Sequence, residues 1–573
     1  MDFRRLAVRK TSKLGLCLLT IGVIACAGAA PPKQPFEQLE DDFVFGTLTL
    51  SPTSATGFGL HQYRGASLDD ALDDYSPAGI EASRALLNDI QSRLAQFDVR
   101  SLDAEQRVDR DMISDALSES RLELEEIQSH RHNPTVYVEL LGNGLFTPYV
   151  LQYAPLAERY GHIISRLNKV PTLIRQAQAS LQDSPEVWNR VAREENEGNI
   201  RLIDTTLRTN CPAEKRSQYN QAALTAIAAL NKFNEWLEVE LAKRPSDWRL
   251  GKELYADKFR YTLATGKSPE ALLAEAESDL VKTRAELARL AAPDSVEKAL
   301  AEVASHHASA ATYMASAQQA LADATKFVRA KNLVTLPPDS NLRVIETPEF
   351  LRDSYSVGGF NPAPALEPQL SAFYWVTPIP SSWPRARIES KLREYNESGM
   401  RHLTVHEAMP GHYVQGQYAN EVQPSSRRLL RIVFGNGPYV EGWAFYAQQL
   451  MAEQGFAGDS RGYRLTLQKQ LLRVLANTII DVRLQTMNMS DQEALDLMIQ
   501  QTYQEPEEAS EKLERAKLTS CQLPTYYAGY KGWLAVREQY RARHGAAFSL
   551  EEFHDGALKQ GAVPLPLLGG LLQ

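Results

Sequence analysis

The chain has 573 residues, 43% of them hydrophobic, and a net charge of −9, which is length and apolar content enough for a large buried core. Five basic residues and Asp2 give the first 25 residues a net charge of +4, leaving −13 on the remainder. So acidic a body lacks the clustered Lys and Arg that nucleic-acid binding needs, and no nucleic-acid partner is expected.

In chain order, Arg4, Arg5, Arg9, Lys10 and Lys13 precede an apolar run at 14–25. That order is the one of an export signal, and the run is too short for a membrane span. Val23-Ile24-Ala25-Cys26 has the form of a lipobox, in which Cys26 is lipidated and becomes the first mature residue. The alternative is cleavage after Ala27-Gly28-Ala29, with Cys26 discarded. Residues 1–26 are therefore assigned to the signal peptide and lipobox. The expected location is the periplasm, with any membrane attachment through the lipid at Cys26, because no other segment is apolar enough to cross a bilayer. Cys211 and Cys521 are then left in the folded body. An oxidising periplasm permits them to pair, but nothing in the sequence brings them together.

No low-complexity linker or fixed-period repeat divides the body. It reads as mainly α and two-lobed, with an N-terminal helical lobe over 36–331 and a second lobe over 332–573. Apolar stripes at helical spacing run through 82–97, 154–181 (interrupted at Pro171) and 218–242. Ser268-Pro269-Glu270 is a helix start, after which Leu273, Ala276, Leu280, Leu287 and Leu290 fall near one face. These helices are expected to be scaffold. Residues 332–384 change character, with frequent Pro and the pair Gly358-Gly359. Residues 371–377 are rich in β-formers between Pro368 and Pro378, the best strand candidate in the chain and the expected small β element beside the active site. Such a strand could grip an extended peptide along its edge, or it could be an ordinary core strand.

The chemistry concentrates between residues 406 and 446. His406-Glu407-Ala408-Met409-Pro410-Gly411-His412 is followed by Glu441-Gly442-Trp443-Ala444-Phe445-Tyr446. Hydrolytic zinc needs three protein ligands of the His/His/carboxylate kind, an open position for water, and a carboxylate to take that water's proton. Two His, the Glu beside the first and the later Glu supply these groups. The spacing of the two His differs from the usual four, and on a straight helix it would turn the second ring about 120° away from the first. Pro410 and Gly411 lie in the interval and can break the helix there, swinging His412 round. His402, one turn earlier, reads as a helix-surface or supporting group rather than a ligand.

The run HEAMPGHYVQ with the later EGWAFY resembles the bacterial family known as domain of unknown function 885, which is grouped with the gluzincin zinc metallopeptidases. SPTSATGFGLHQY from Ser51, FYWVTPIP from Phe373 and Gln522-Leu523-Pro524-Thr525-Tyr526-Tyr527-Ala528-Gly529 match its pattern as well, so the resemblance spans nearly the whole mature chain. It implies that His406, His412 and Glu441 ligate Zn2+, that Glu407 is the general base, and that 332–573 is the catalytic lobe. Where the family carries an Arg and, after an Asp, a His four residues on, this chain has Asn477, Asp481 and Gln485. A Gln there can donate only through a neutral amide.

Residues 461–485 and 491–502 read as helices and 505–517 as a charged helix. A phenol near the metal can stabilise the negative oxygen of amide hydrolysis. Tyr526 matches the family's Tyr-x-x-Gly position and is chosen for that role, with Tyr527 and Tyr530 as alternates. The expected function is an exported zinc metallopeptidase acting on short peptides. A non-catalytic metal- or peptide-binding protein of the same fold, and a zinc hydrolase of another amide or ester, are the alternatives.

Overall fold

The helix start read at Ser268 operates as expected in the computed structural model, which describes residues 35–337, 340–348, 352 and 357–572. The leader and Cys26 lie outside the described residues. Leu156–Ser180 (α1) and Arg216–Val239 (α2) pack against each other in the first half. Pro171 does not interrupt α1. Pro removes one backbone bond, but Leu167, Val170, Leu173 and Ile174 are buried on both sides of it, and that shared face keeps the helix continuous. Pro269–Ala291 (α3) starts as expected: the Ser268 side chain accepts from the Ala271 N–H, and Leu273, Ala276, Leu280 and Leu287 are buried, with Leu290 partly so.

The described strands form two small sheets. Gln62–Tyr63 (β1) and Ala66–Ser67 (β2) make a short hairpin. Leu342–Glu346 (β3), Gly358–Asn361 (β4) and Ala372–Val376 (β5) form a second sheet in the order β3-β5-β4, with β3 parallel and β4 antiparallel to β5. The strand expected at 371–377 is therefore present but central. Both its edges are paired, so it has no free backbone groups with which to hold a substrate, and the core-strand alternative is the one realised.

The alternation of β5 organises the interior. Phe373 and Trp375 join an apolar cluster built by helices between Tyr137 and Leu241. Ala372, Tyr374 and Val376 face the opposite way, into the larger cluster that holds the rest of the buried chain. Residues from Phe36 onward form one compact unit, and the boundary expected at 331/332 falls within the larger cluster. Cys211 lies in the smaller cluster and Cys521 in the larger; both are free thiols, so they do not pair. Among the described residues no helix is long and apolar enough to cross a membrane.

Tyr374 ties the sheet to the helix Glu397–Glu407 (α4) through a 3.2 Å bond between its hydroxyl and that of Thr404. His412–Ala419 (α5), Gly437–Glu453 (α6), Arg461–Thr486 (α7), Pro506–Leu518 (α8) and Pro524–His544 (α9) complete the region around the motif.

Candidate metal centre

Asn396 starts α4 by accepting from the N–H groups of Ser398 and Gly399, and the helix stops at Glu407. The break expected at Pro410-Gly411 is there. Gly411 donates to the Val405 carbonyl at 3.0 Å, and a Cβ on it would fall 1.9 Å from the His406 oxygen, so only glycine fits this return. A new helix, α5, begins at His412. The indole N–H of Trp443 donates to the carbonyls of Pro410 and Gly411 at 2.9 and 3.2 Å, the second of which also accepts from the Gln415 N–H at 3.1 Å. The tryptophan of the second motif thus fastens the first.

Glu441 stands near the start of α6, whose cap is Asn436 accepting from the Tyr439 N–H. The following residue, Gly442, meets Gly529 of α9 backbone to backbone. A Cβ on Gly442 would fall 2.3 Å from the Gly529 carbonyl carbon, and one on Gly529 would fall 1.9 Å from the Pro438 oxygen. This crossing sets Glu441 and Tyr526, three residues before Gly529, against the same space.

The outcome is a three-ligand cluster. Candidate ligand atoms of His406, His412 and Glu441 all lie within 4.8 Å of one another. Glu441 Oε2 is 3.4 Å from His406 Nε2 and 3.4 Å from His412 Nε2, and it is buried without a hydrogen-bond partner. The two imidazoles are nearly perpendicular, with centroids 4.8 Å apart. His412 stacks on Phe360 of β4, and its buried Nδ1 has no partner, so stacking holds that ring. Burial alone would raise the Glu441 carboxyl, but His406 and His412 outweigh it and hold the carboxyl well below the usual range. An orphaned carboxylate oxygen between two imidazole nitrogens is a donor set that suits a divalent transition metal. Glu407, the last residue of α4, is close enough for its charge to raise the His412 pKa alongside that of Glu441.

Of the three tyrosines, Tyr526 alone faces this cluster: its ring lies parallel to His406 at 6.1 Å. Tyr527 donates to Asp279 at 2.8 Å, and Tyr530 packs edge-on against Phe445. The Tyr526 oxygen accepts from Arg515 at 3.3 Å and Gln522 at 3.4 Å, which leaves its own hydrogen to be given elsewhere. Burial and the Glu441 charge raise its pKa, so it stays protonated.

Of its two expected places, His402 takes the supporting one. His402 is not on a helix surface. It is fully buried, stacked on Tyr463 at 4.0 Å and bonded through Nε2 to the Tyr463 carbonyl, and burial lowers its pKa to about 4. Gln485 is a tie between segments: its amide accepts from the Leu250 N–H at 2.9 Å and donates to the Thr519 carbonyl at 3.3 Å. Asn477 is buried in α7. Sequence reasoning missed the capping by Trp443, for which its place two residues after Glu441 was the available signal, and it missed Lys512, taken up below.

The His402 shift has a consequence for stability. Between about pH 6.5 and pH 4 the unfolded chain binds a proton on His402 that the folded chain does not, so folded stability attached to this residue falls as pH falls. In His402→Gln the stability gap to wild type should therefore narrow by up to about 3 kcal/mol over that window, measured by denaturant melts at each pH. Glu40 and Asp481, which burial raises to about 8 and about 6, act in the opposite direction but equally in both proteins. A gap independent of pH would refute the buried neutral histidine.

Fold and site together define a mainly helical protein with a His/His/carboxylate pocket of metal-binding form. The chain belongs to the family described as "Bacterial protein of unknown function (DUF885)", whose model matches residues 52–572. A solved structure from Shewanella oneidensis, described as a "putative lipoprotein of unknown function", is 27% identical, with 94% of this chain and 99% of that one covered at a TM-score of 0.77. Another, a "putative lipoprotein" from Colwellia psychrerythraea, is 18% identical, with 94% and 98% covered at a TM-score of 0.76, and shows the shared fold. No curated protein matches the chain.

Proposed function

We propose that the protein is an exported, zinc-dependent metallopeptidase that hydrolyses short peptides. The observation that carries the reading is the orphaned Glu441 oxygen placed between two imidazole nitrogens, with Glu407 next in sequence to one of them. His406, His412 and Glu441 would hold the metal. Bound there, zinc would supply a water of lowered pKa and polarise the peptide carbonyl. Glu407 takes the proton of the attacking water and passes it to the leaving amine. Tyr526, its oxygen steadied by Arg515 and Gln522, donates its O–H to the oxygen on which charge develops. Assignment to the gluzincin group is part of this proposal and is supported by HEAMPGH followed by Glu441. Metal analysis combined with a peptide-library digest, with and without chelator, tests it. Chelator-sensitive cleavage is expected. Bound metal with no cleavage would favour a binding protein, and cleavage confined to esters or cell-wall amides would replace the substrate class.

The same reading makes Cys26 a lipidated residue, supported by the Val23-Ile24-Ala25-Cys26 run and by the description of the Shewanella oneidensis relative as a "putative lipoprotein". Cys26→Ser should move the protein from the membrane fraction to the soluble one. Identical fractionation of both forms would rule out the lipid anchor.

A further inference from the structure

The helix α8 carries a lysine where its apolar stripe should continue. Ala509, Lys512, Leu513 and Ala516 share its buried face at helical spacing, and Lys512 is 6% exposed. Among the described residues no hydrogen bond or ion pair holds its ammonium group. The carboxylate one turn before it, Glu508, is already engaged: it pairs with Arg473, accepts from Tyr395 at 3.1 Å and lies 3.6 Å from Lys391. Burial, then Arg473 and Arg515, press the Lys512 pKa well below a lysine's ordinary value, against the opposing pull of Glu508 and Glu441. A buried cationic group this short of anions is costly unless it gives up its proton or an anion joins it.

The direction from which an anion could arrive is set by the neighbours. Glu441 is among the charges acting on Lys512, which places the lysine within electrostatic reach of the metal centre. Three residues on, and so on the same side of the helix, Arg515 bonds to the hydroxyl of Tyr526, whose ring lies on His406. Arg515, Gln522 and Tyr526 are all part-exposed, and Arg515 also donates to the Gln522 side chain at 3.0 Å.

We propose that Lys512, with Arg515 beside it, forms a subsite of the metal centre that binds a carboxylate of the substrate and so selects peptides with a free carboxylate close to the cleaved bond. This rests on the peptidase reading above. A bound carboxylate would give Lys512 the counter-charge that the fold withholds, through charge-assisted bonds worth about a ten- to hundred-fold preference.

The test compares three sets of short peptides on the metal-loaded, full-length protein: free C-terminus, C-terminal amide, and C-terminal amide with an internal Asp or Glu. Wild type should prefer free acids to amides by about ten-fold or more in kcat/KM, mostly through KM. In Lys512→Met, which keeps the side chain's length in an apolar setting, that ratio should fall towards one, and Lys512→Arg should restore part of it. Preference for the third set would assign the carboxylate to a side chain instead of the C-terminus. Equal rates for acids and amides in wild type, or a preference untouched in a folded, metal-loaded Lys512→Met, would overturn the subsite. Calorimetric binding of a free-acid tripeptide and its amide to both proteins separates this from failure of the peptidase reading. Lys512-dependent preference for the acid without any hydrolysis would sustain the subsite and remove the peptidase; no difference in binding would remove the subsite whatever the turnover.

Discussion

Glu407→Gln should fold, keep its metal and bind peptide while hydrolysis falls by about a hundred- to ten-thousand-fold, the contribution typical of a positioned general base. The substitution keeps the shape of the side chain and removes only its capacity to accept a proton. Position makes the residue specific: Glu407 ends α4 directly after His406, and its charge acts on His412 across the pocket. The other carboxylate of the cluster, Glu441, stands with its Oε2 between the two imidazoles, 3.4 Å from each Nε2. Steady-state rates on a cleaved library peptide, with metal content measured on the same sample, check the prediction. Undiminished turnover with full metal content would reject the assigned base.

Glu441→Ala should lose metal together with activity. The variant leaves His406 and His412 with two nitrogens and no carboxylate, and it removes the acceptor that both rings approach at 3.4 Å. A ligand that binds only the folded state stabilises it by mass action, about 2.7 kcal/mol at a hundred times its dissociation constant. Adding zinc should accordingly raise the melting temperature of wild type and leave that of Glu441→Ala nearly where it was. This readout needs no substrate. Full zinc occupancy in the variant would expel Glu441 from the ligand set, and Glu421 and Glu453 would be tested next.

What was legible in the sequence was local. Ser268 before Pro269 and Pro410-Gly411 inside the motif act within a few residues of themselves, and each does in the fold what its chemistry dictates. That His406, His412 and Glu441 come together was legible because metal chemistry restricts residue type as well as spacing. What stayed hidden depended on partners far along the chain. The residues of β5 announce a strand, but whether a strand is central or at an edge is decided by β3 and β4, and nothing inside 372–376 records them. Pro171 looked like a break because the packing that overrides it comes from other helices. Lys512 was lost among the many charges of α8, although its place between Ala509, Leu513 and Ala516 put a cation on the buried stripe.

The meeting of Gly442 and Gly529 bears on how accurately this pocket can be kept. Most distances between side chains on different helices are cushioned by other side chains, which can change rotamer and absorb a shift. Here two backbones touch, so the span from Glu441 to Tyr526 is gauged by main chain alone and inherits the stiffness of two helices. Such a joint has no slack. The smallest spacer at either glycine would act on Glu441 and the phenol together, as a shim acts on both jaws of a vice.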